Sequence, residues 1–296
     1  MVGASAAYAC ALRGTISEII LIDNNEAAAW GQAADISDAM GIDGNVEVRV
    51  GNYSDITTDD IVVITAGAPQ EPGQTRLDLI EKNAGVMCEI IRKVMAGGAV
   101  PYLVIVSNPV DILTYVALKE SGLGKNRVFG TGTTLDTSRL KSYLAFELGA
   151  NNREVDAYVL GEHGDSSFPT IETAQVGEVP LRDYPGFREE IVTDIETKIR
   201  DRAYQIIESK KSTYFAIGFV IAKIVEALRQ SSHTVLPVCS LAQGEYGLND
   251  VVLGLPSIIN ENGVRILTGY RLTNREKDLL KQSAKVISQN LAELDY

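Results

Sequence analysis

A doubly wound α/β sheet followed by a mixed α+β second domain is the fold that the pattern of the chain predicts, and three observations carry it. Continuous apolar runs such as Asp60-Ile-Val-Val-Ile-Thr65 and Tyr102-Leu-Val-Ile-Val106 have the character of strands covered on both faces, as in parallel sheets. In the first half these runs alternate with stretches of helical spacing, the rhythm of right-handed βαβ units. After residue 130 the rhythm gives way to long helices and strand pairs. The expected division is therefore a Rossmann-type domain over 1–130 and a second domain over 131–296, to which the motifs below give the substrate and catalytic role.

Taken in order, residues 4–13 are Ala-rich and helical, and Glu18 to Asp23 is a buried strand ending in an acid. A helix follows from Ala27 to Met40, a strand from Val46 to Val50, a strand from Asp60 to Thr65, and a helix from Leu77 to Met95. The strand Tyr102–Val106, a helix from Asp111 to Ser121 and a short strand Arg127–Phe129 complete the first half. The second half reads as a helix Leu135–Leu148, a strand Asp156–Leu160, and long helices over 186–209 and 214–229. Strands near 234–238, 251–254 and 264–271 and a helix from Asn274 finish the chain.

A length of 296 residues suits two domains, and 45% hydrophobic with 22% charged residues suits a soluble globular protein. The net charge of -12 opposes a nucleic-acid backbone, so no nucleic-acid partner is expected, while a local arginine can still bind a small anion. Three separated cysteines, without a C-x-x-C pair, fit a reducing cytoplasm and predict no disulfide framework. No membrane span and no metal site are expected.

The dinucleotide fingerprint runs strand, G-x-G-x-x-G, helix, then an acid about 20 residues on. Gly3 before a small-residue helix fits the last glycine, and Asp23 fits the acid. A carboxylate there accepts hydrogen bonds from a ribose and repels a 2′-phosphate, which favours NAD over NADP. Taken alone, the two residues fit equally well a helix-packing glycine and a solvated strand-end aspartate. The first strand and first glycines of the fingerprint are absent, and the sheet would lack its central strand, leaving two neighbours with unpaired backbone groups. An upstream segment carrying a strand and G-x-G is the expectation that follows.

His163, one of two histidines, lies in Gly161-Glu-His-Gly-Asp165 after a strand, a position suited to acid–base work. Asp136 and Arg139 sit one helical turn apart in Thr134-Leu-Asp-Thr-Ser-Arg139. Gln70 to Arg76 is a Gly- and Pro-containing loop suited to a closing lid, and Asn108 follows a strand in Ser107-Asn-Pro109. Each also has a plainer explanation: an incidental loop histidine, a helix ion pair, a solvated connector, a turn-forming asparagine.

Together, Thr65-Ala-Gly-Ala-Pro69, Thr75-Arg-Leu-Asp78, Val106-Ser-Asn-Pro-Val-Asp111, Leu135-Asp-x-x-Arg139 and Gly161-Glu-His-Gly-Asp165 resemble the lactate/malate dehydrogenase family in order and spacing, over almost the whole chain. The resemblance implies that His163 is the general acid in reduction of a 2-oxo acid and that Asp136 holds its imidazole. It implies that Arg139 binds the substrate carboxylate, that Arg76 closes over the site and polarises the carbonyl, and that Asn108 and Thr213 line the pocket. Val2, Gly3, Asp23, Tyr53, Gly67, Ala68, Val106, Asn108 and Thr131 take the positions of NAD contacts. A homotetramer is also implied.

Substrate choice in the family resembles a reading of one loop position, here Gln70. An uncharged Gln70 leaves the second carboxylate of oxaloacetate unpaired, whereas the methyl of pyruvate needs no partner, so pyruvate and L-lactate are favoured. Ser166-Ser-Phe168 is also similar to the lactate branch. Lys141 and Asp156 stand where sugar-phosphate-activated members are basic, and Asp156 predicts weak or no activation by fructose 1,6-bisphosphate. Lys211, beside Thr213, has no assigned effect. The competing readings are a malate dehydrogenase, a non-catalytic remnant without a competent cofactor site, and a simple anion-binding module.

Overall fold

The apolar runs become strands and the periodic stretches become the helices that cover them, in a computed structural model that describes residues 1–68, 76–210 and 212–294, with Asp43 and Arg76 described by backbone alone. The first half contains α1 (Val2–Arg13), β1 (Glu18–Leu21), α2 (Glu26–Asp43), β2 (Glu47–Val50), β3 (Ile61–Ile64), α3 (Arg76–Met95), β4 (Tyr102–Ile105), α4 (Val110–Ser121) and β5 (Val128–Gly130). The second half begins with α5 (Thr134–Leu148) and the short strands β6 (Val155–Asp156), β7 (Val159–Leu160), β8 (Phe168–Pro169), β9 (Gln175–Val176) and β10 (Val179–Pro180). It continues with α6 (Glu189–Val192), α7 (Ile195–Lys210), α8 (Phe215–Arg229), β11 (Thr234–Gln243), β12 (Asn249–Asn260), β13 (Gly263–Ile266) and α9 (Asn274–Ala292).

The main sheet has the order β13-β12-β11-β5-β4-β3. Strands β3, β4 and β5 are parallel, and β11 joins antiparallel through the single pair Cys239–Gly130, so the two halves share one sheet. Strand β4 shows why its sequence is apolar without alternation. Leu103 and Ile105 face a core with Ile80, Met87 and Ile91 of α3 and Leu280 and Ile287 of α9. Tyr102 and Val104 face Val220, Ile224 and Leu228 of α8 on the other side. A separate core packs Leu140 and Leu144 of α5 with Val155, Val176 and Ile199.

The remaining parallel pair, β1 with β2, forms its own sheet and shares no ladder with β3. Strands β1 and β3 instead lean on one cluster, in which Ala6 and Cys10 of α1 and Ile221, Ala222 and Val225 of α8 meet Ile19, Ile61 and Val63. Helices α1 and α8 lie parallel: Ser5 meets Gly218 near their starts, and Arg13 pairs with Glu226 near their ends. Gly218 permits the approach, because a Cβ there would lie 2.8 Å from the Ser5 carbonyl carbon.

Several expected boundaries shift. The run 156–160 is two strands, because Tyr158 turns its amide to the Thr170 hydroxyl (3.1 Å) rather than to a ladder partner, and β6 and β7 pair with β9 and β8. The helix expected over 186–209 breaks into α6 and α7, with Asp194 left-handed between them (φ 58) and Thr193 bonding back to the Glu189 carbonyl. Strands β11 and β12 run far beyond 234–238 and 251–254. Their buried serines, Ser240 and Ser257, bond each other at 3.2 Å, so polar residues continue a strand that an apolar pattern would have ended. The last strand stops at Ile266 rather than 271.

Gly218→Ala is expected to force α1 and α8 apart at backbone level and to lower unfolding free energy by about 1–3 kcal/mol, the usual cost of overpacking, as read from the midpoint in urea at unchanged m.

Candidate active site and cofactor cradle

Helix α5 and the His163 loop are brought together by threonines. Thr133 donates its hydroxyl to the Val159 carbonyl (2.6 Å), and the Thr137 hydroxyl accepts the Val159 amide (2.8 Å), tying the first turn of α5 to β7. The chain leaves β7 through Gly161, whose φ of 95° lies in the region that favours glycine. A Cβ there would also lie 2.6 Å from Ser283 Oγ. Gly161 exchanges two backbone hydrogen bonds with Gly254 of β12, at 3.0 and 2.8 Å. Glu162 then donates its amide to Ser283 of α9 (2.6 Å) and accepts a hydrogen bond from Ser166 (2.6 Å).

This framework delivers His163 to Asp136. The ring Nδ1 lies 2.6 Å from Asp136 Oδ2, while Arg139 Nη1 donates to Asp136 Oδ1 at 2.8 Å. An ionised carboxylate only accepts, so Nδ1 carries a proton and Nε2 is the nitrogen left to give or take one. The backbone amide of His163 donates to Asp111 Oδ2 at 2.8 Å. Asp136 and Arg139 are both buried, and the His163 side chain keeps 27% of its exposure, so the imidazole stands at the mouth of a buried ion pair.

Burial alone would lower the His163 pKa, but Asp136, with a lesser contribution from Asp111, outweighs it and raises the pKa above 6.5. Burial would raise Asp136, but the charges of His163 and Arg139 and their hydrogen bonds hold it below 3.8. The raised histidine stabilises the fold below its unfolded pKa, and this contribution is lost as pH rises through the folded value. The depressed aspartate stabilises the fold above its unfolded pKa, and that contribution is lost as pH falls through the folded value.

The second part of the site gathers at the carboxyl ends of β3 and β4. Gly3, in the first turn of α1, lies where a Cβ would be 3.0 Å from Thr65 Oγ1. The N-cap Met1 provides no side-chain cap, and the first intrahelical bond runs from the Ser5 amide to the Met1 carbonyl, so the amides ahead of it have no acceptor within the helix. Gly67 lies beside Ser107 and Asn83. Asn83 is buried and ties two loops together, accepting the Ala68 amide at 2.7 Å and donating to the Asn108 carbonyl at 3.0 Å. Asp23 is exposed beyond β1 and accepts the Asn25 amide at 2.9 Å.

Uncapped helix amides at a close glycine approach, with an exposed carboxylate one βα unit away, suit a pyrophosphate and a ribose. Residues 1–130 match the model of the lactate/malate dehydrogenase NAD-binding domain, and residues 133–295 match that of the family's alpha/beta C-terminal domain. The chain belongs to the lactate/malate dehydrogenase family. It is 42% identical over 293 residues to an L-lactate dehydrogenase of Lactococcus lactis subsp. cremoris, covering 97% of this chain and 92% of that one. It is 41% identical over 296 residues to L-lactate dehydrogenase 2 of Bacillus cereus, covering 98% and 94%. Among solved structures it is similar to the minor L-lactate dehydrogenase of Enterococcus mundtii in its ligands-bound form, at 42% identity and TM-score 0.94, covering 98% and 94%. It is also similar to MGS-M5, a lactate dehydrogenase enzyme from a Medee basin deep-sea metagenome library, at 37% identity and TM-score 0.96, covering 100% and 96%.

The family's cofactor, NAD, is thus matched by a cradle in this chain. Of the residues expected from sequence, His163, Asp136 and Arg139 meet directly. Val2, Gly3, Gly67, Ala68 and Val106 lie at the helix start and the strand ends that build the cradle. Thr131, buried, donates its amide to Ile105 O at the end of β4 (2.9 Å). Asn108 is exposed, at a cis bond to Pro109 just before α4. Thr213 is half-buried in the segment before α8. Tyr53 is half-buried after β2, with Lys93 Nζ 5.7 Å from its ring centroid. Gln70 and Lys211 lie outside the described residues, as does the side chain of Arg76, the first residue of α3.

Asn83, Cys239 and Ser283 have no role assigned from sequence, and Asp111 enters only as the last residue of a family motif. Only Asp111 carried a signal, as a lone acid in the apolar stretch Val110-Asp-Ile-Leu-Thr-Tyr-Val-Ala-Leu118.

Asp136→Asn is expected to lower the His163 pKa, because it removes the dominant charge that raises it. With only two histidines in the chain, NMR titration of the ring protons reads this directly; an unchanged value would show that Asp136 does not set it.

Proposed function

We propose that this chain is an NAD-dependent L-lactate dehydrogenase, catalysing the reversible interconversion of pyruvate and L-lactate at the end of fermentative glycolysis. The observation that carries the proposal is one buried carboxylate, Asp136, holding both the His163 imidazole and the Arg139 guanidinium. In this reading residues 1–130 bind the dinucleotide and 131–296 carry the substrate site.

NADH supplies the hydride when bound. His163 donates the proton from Nε2 to the ketone oxygen, and its imidazolium is kept available by Asp136. The donors of Arg139 that do not face Asp136 take the substrate carboxylate, and their burial strengthens that contact. Asn108, at the start of α4, hydrogen-bonds the substrate oxygen, and Thr213 bounds the pocket. Arg76, at the head of α3, closes over the carbonyl and polarises it. In the reverse direction neutral His163 takes the hydroxyl proton, so oxidation of lactate gains as pH rises through the His163 pKa and reduction of pyruvate loses.

The large apolar side chains exposed on α1, α2 and α8, namely Tyr8, Leu12, Trp30, Ile42, Phe215 and Phe219, support assembly with further copies, for which we propose a homotetramer. Light scattering of the purified protein measures it. Cysteines 10, 88 and 239 form no disulfide among the described residues, which suits a cytoplasmic enzyme, and no helix among them is long and apolar enough to cross a membrane. Lys141 has its pKa lowered by burial, against Asp156, an environment ill suited to holding a phosphate, so fructose 1,6-bisphosphate should leave half-saturating pyruvate nearly unchanged.

The deciding assay follows NADH absorbance with pyruvate and oxaloacetate in parallel. Turnover of pyruvate with little of oxaloacetate is expected, and Gln70→Arg should move the ratio of kcat/KM toward oxaloacetate by about a hundredfold, or about 3 kcal/mol, by pairing its second carboxylate. A preference for oxaloacetate in the unaltered protein would assign the chain to the malate branch instead.

A further inference from the structure

Asp111 is 2% exposed and plays no part in the chemistry above, yet it touches the residue at the centre of it. It lies in the first turn of α4 among apolar neighbours, where an isolated carboxylate is costly. Both of its oxygens are engaged. Oδ2 accepts the His163 backbone amide at 2.8 Å, and Oδ1 accepts the Cys239 thiol, also at 2.8 Å. Cys239 is fully buried and sits at the single pair that joins β11 to β5. Burial, and then the negative Asp111, hold this thiol protonated, so it remains a donor throughout the working pH range.

We infer that Cys239 and Asp111 form a positioning pair for His163, in which the thiol keeps Asp111 ionised and Asp111 in turn anchors the His163 backbone and supports its imidazolium with a second negative charge. The inference rests on reading His163 as the proton donor of the proposed reaction.

The groups that face this cluster come from every surrounding element. Asp136 and Arg139 approach from α5, Glu162 lies beside His163 in its own loop, Asp111 projects from α4 and Cys239 from β11. Asp136 supplies the larger attraction to the imidazolium, Asp111 adds to it, and Arg139 opposes it. Burial, reinforced by Glu162, outweighs the Cys239 and His163 hydrogen bonds and the His163 charge, which pull the other way, and leaves Asp111 raised to about 6. Losing the Cys239 donor would raise Asp111 further and so weaken the negative charge that it presents to His163. The thiol acts on His163 only through Asp111, at the remove of one residue.

Four proteins test this: the unaltered chain, Cys239→Ala, Cys239→Ser and Asp111→Asn. The first readout is the His163 pKa from NMR titration without substrate, which does not depend on turnover. The second is the pH profile of kcat/KM for pyruvate, whose alkaline limb reports the same group. Asp111→Asn keeps an acceptor for the His163 amide but removes the charge, and should lower the His163 pKa by about half a unit to one unit. Cys239→Ala should lower it in the same direction, and Cys239→Ser, which restores a donor, should return it toward the original value.

A His163 pKa unaltered in folded Cys239→Ala and Asp111→Asn would overturn the inference, as would a Cys239→Ser protein indistinguishable from Cys239→Ala. Should Asp111→Asn fail to fold, the Cys239→Ala and Cys239→Ser pair decides alone. Absence of pyruvate turnover in the unaltered chain would sink the proposed function, whereas the NMR comparison would still decide whether the pair sets the His163 titration.

Discussion

The Asp136 carboxylate is the point on which the site depends. It is buried, and a buried carboxylate is tolerated only when its lone pairs and charge are matched. Here one oxygen meets His163 and the other Arg139. With His163 protonated and Asp111 ionised, Asp136, Asp111, His163 and Arg139 set two negative charges against two positive ones before substrate arrives. A substrate anion that reaches Arg139 adds negative charge and favours the protonated imidazole further. In the proposed function, binding the carboxylate and readying the proton are thus coupled through a single aspartate.

The fold turns that carboxylate into a fixed point by bringing sequence-distant segments to it with directional bonds. Thr133 and Thr137 fasten α5 to β7, Gly161 and Gly254 fasten the histidine loop to β12, and Ser283 fastens it to α9. Cys239 reaches Asp111 from β11, the strand through which the second half enters the sheet of the first. The acid–base centre is therefore built across the junction of the two halves, and the long β11–β12 hairpin is the beam that carries it.

Much of this was legible in the sequence where chemistry is tied to local spacing. Asp136 and Arg139 are separated by one helical turn, so their meeting follows from the helix itself, and a glycine-flanked histidine after a strand announces an exposed loop. The parallel strands were legible because two covered faces demand unbroken apolar runs. What escaped was contact between polar groups far apart in the chain. Nothing in the local pattern of Asn83 says that it will join the loops after β3 and β4, and Cys239 reads as one more apolar residue in a strand. The full length of β11 and β12 was hidden for a related reason: Ser240 and Ser257 satisfy each other inside the core, and a hydrophobicity pattern cannot see a partner.

The two ends of the site are held by different forces. The His163 cluster is cross-braced by hydrogen bonds from α4, α5, α9, β11 and β12. At the cofactor end, β1 and β3 share no ladder, and their relative position rests on apolar side chains packed against α1 and α8. Such packing is favourable but non-directional, so it resists sliding and separation less sharply than a strand ladder does. The distance from Asp23, beyond β1, to Gly67, beyond β3, therefore depends in part on how closely α1 seats on α8 at Gly218. On the proposed function, a dinucleotide held at both residues must match that distance, whereas the imidazole must match only Asp136. Changes in the α1–α8 contact should therefore act on cofactor affinity, while proton transfer keeps the geometry that α5 and the His163 loop impose.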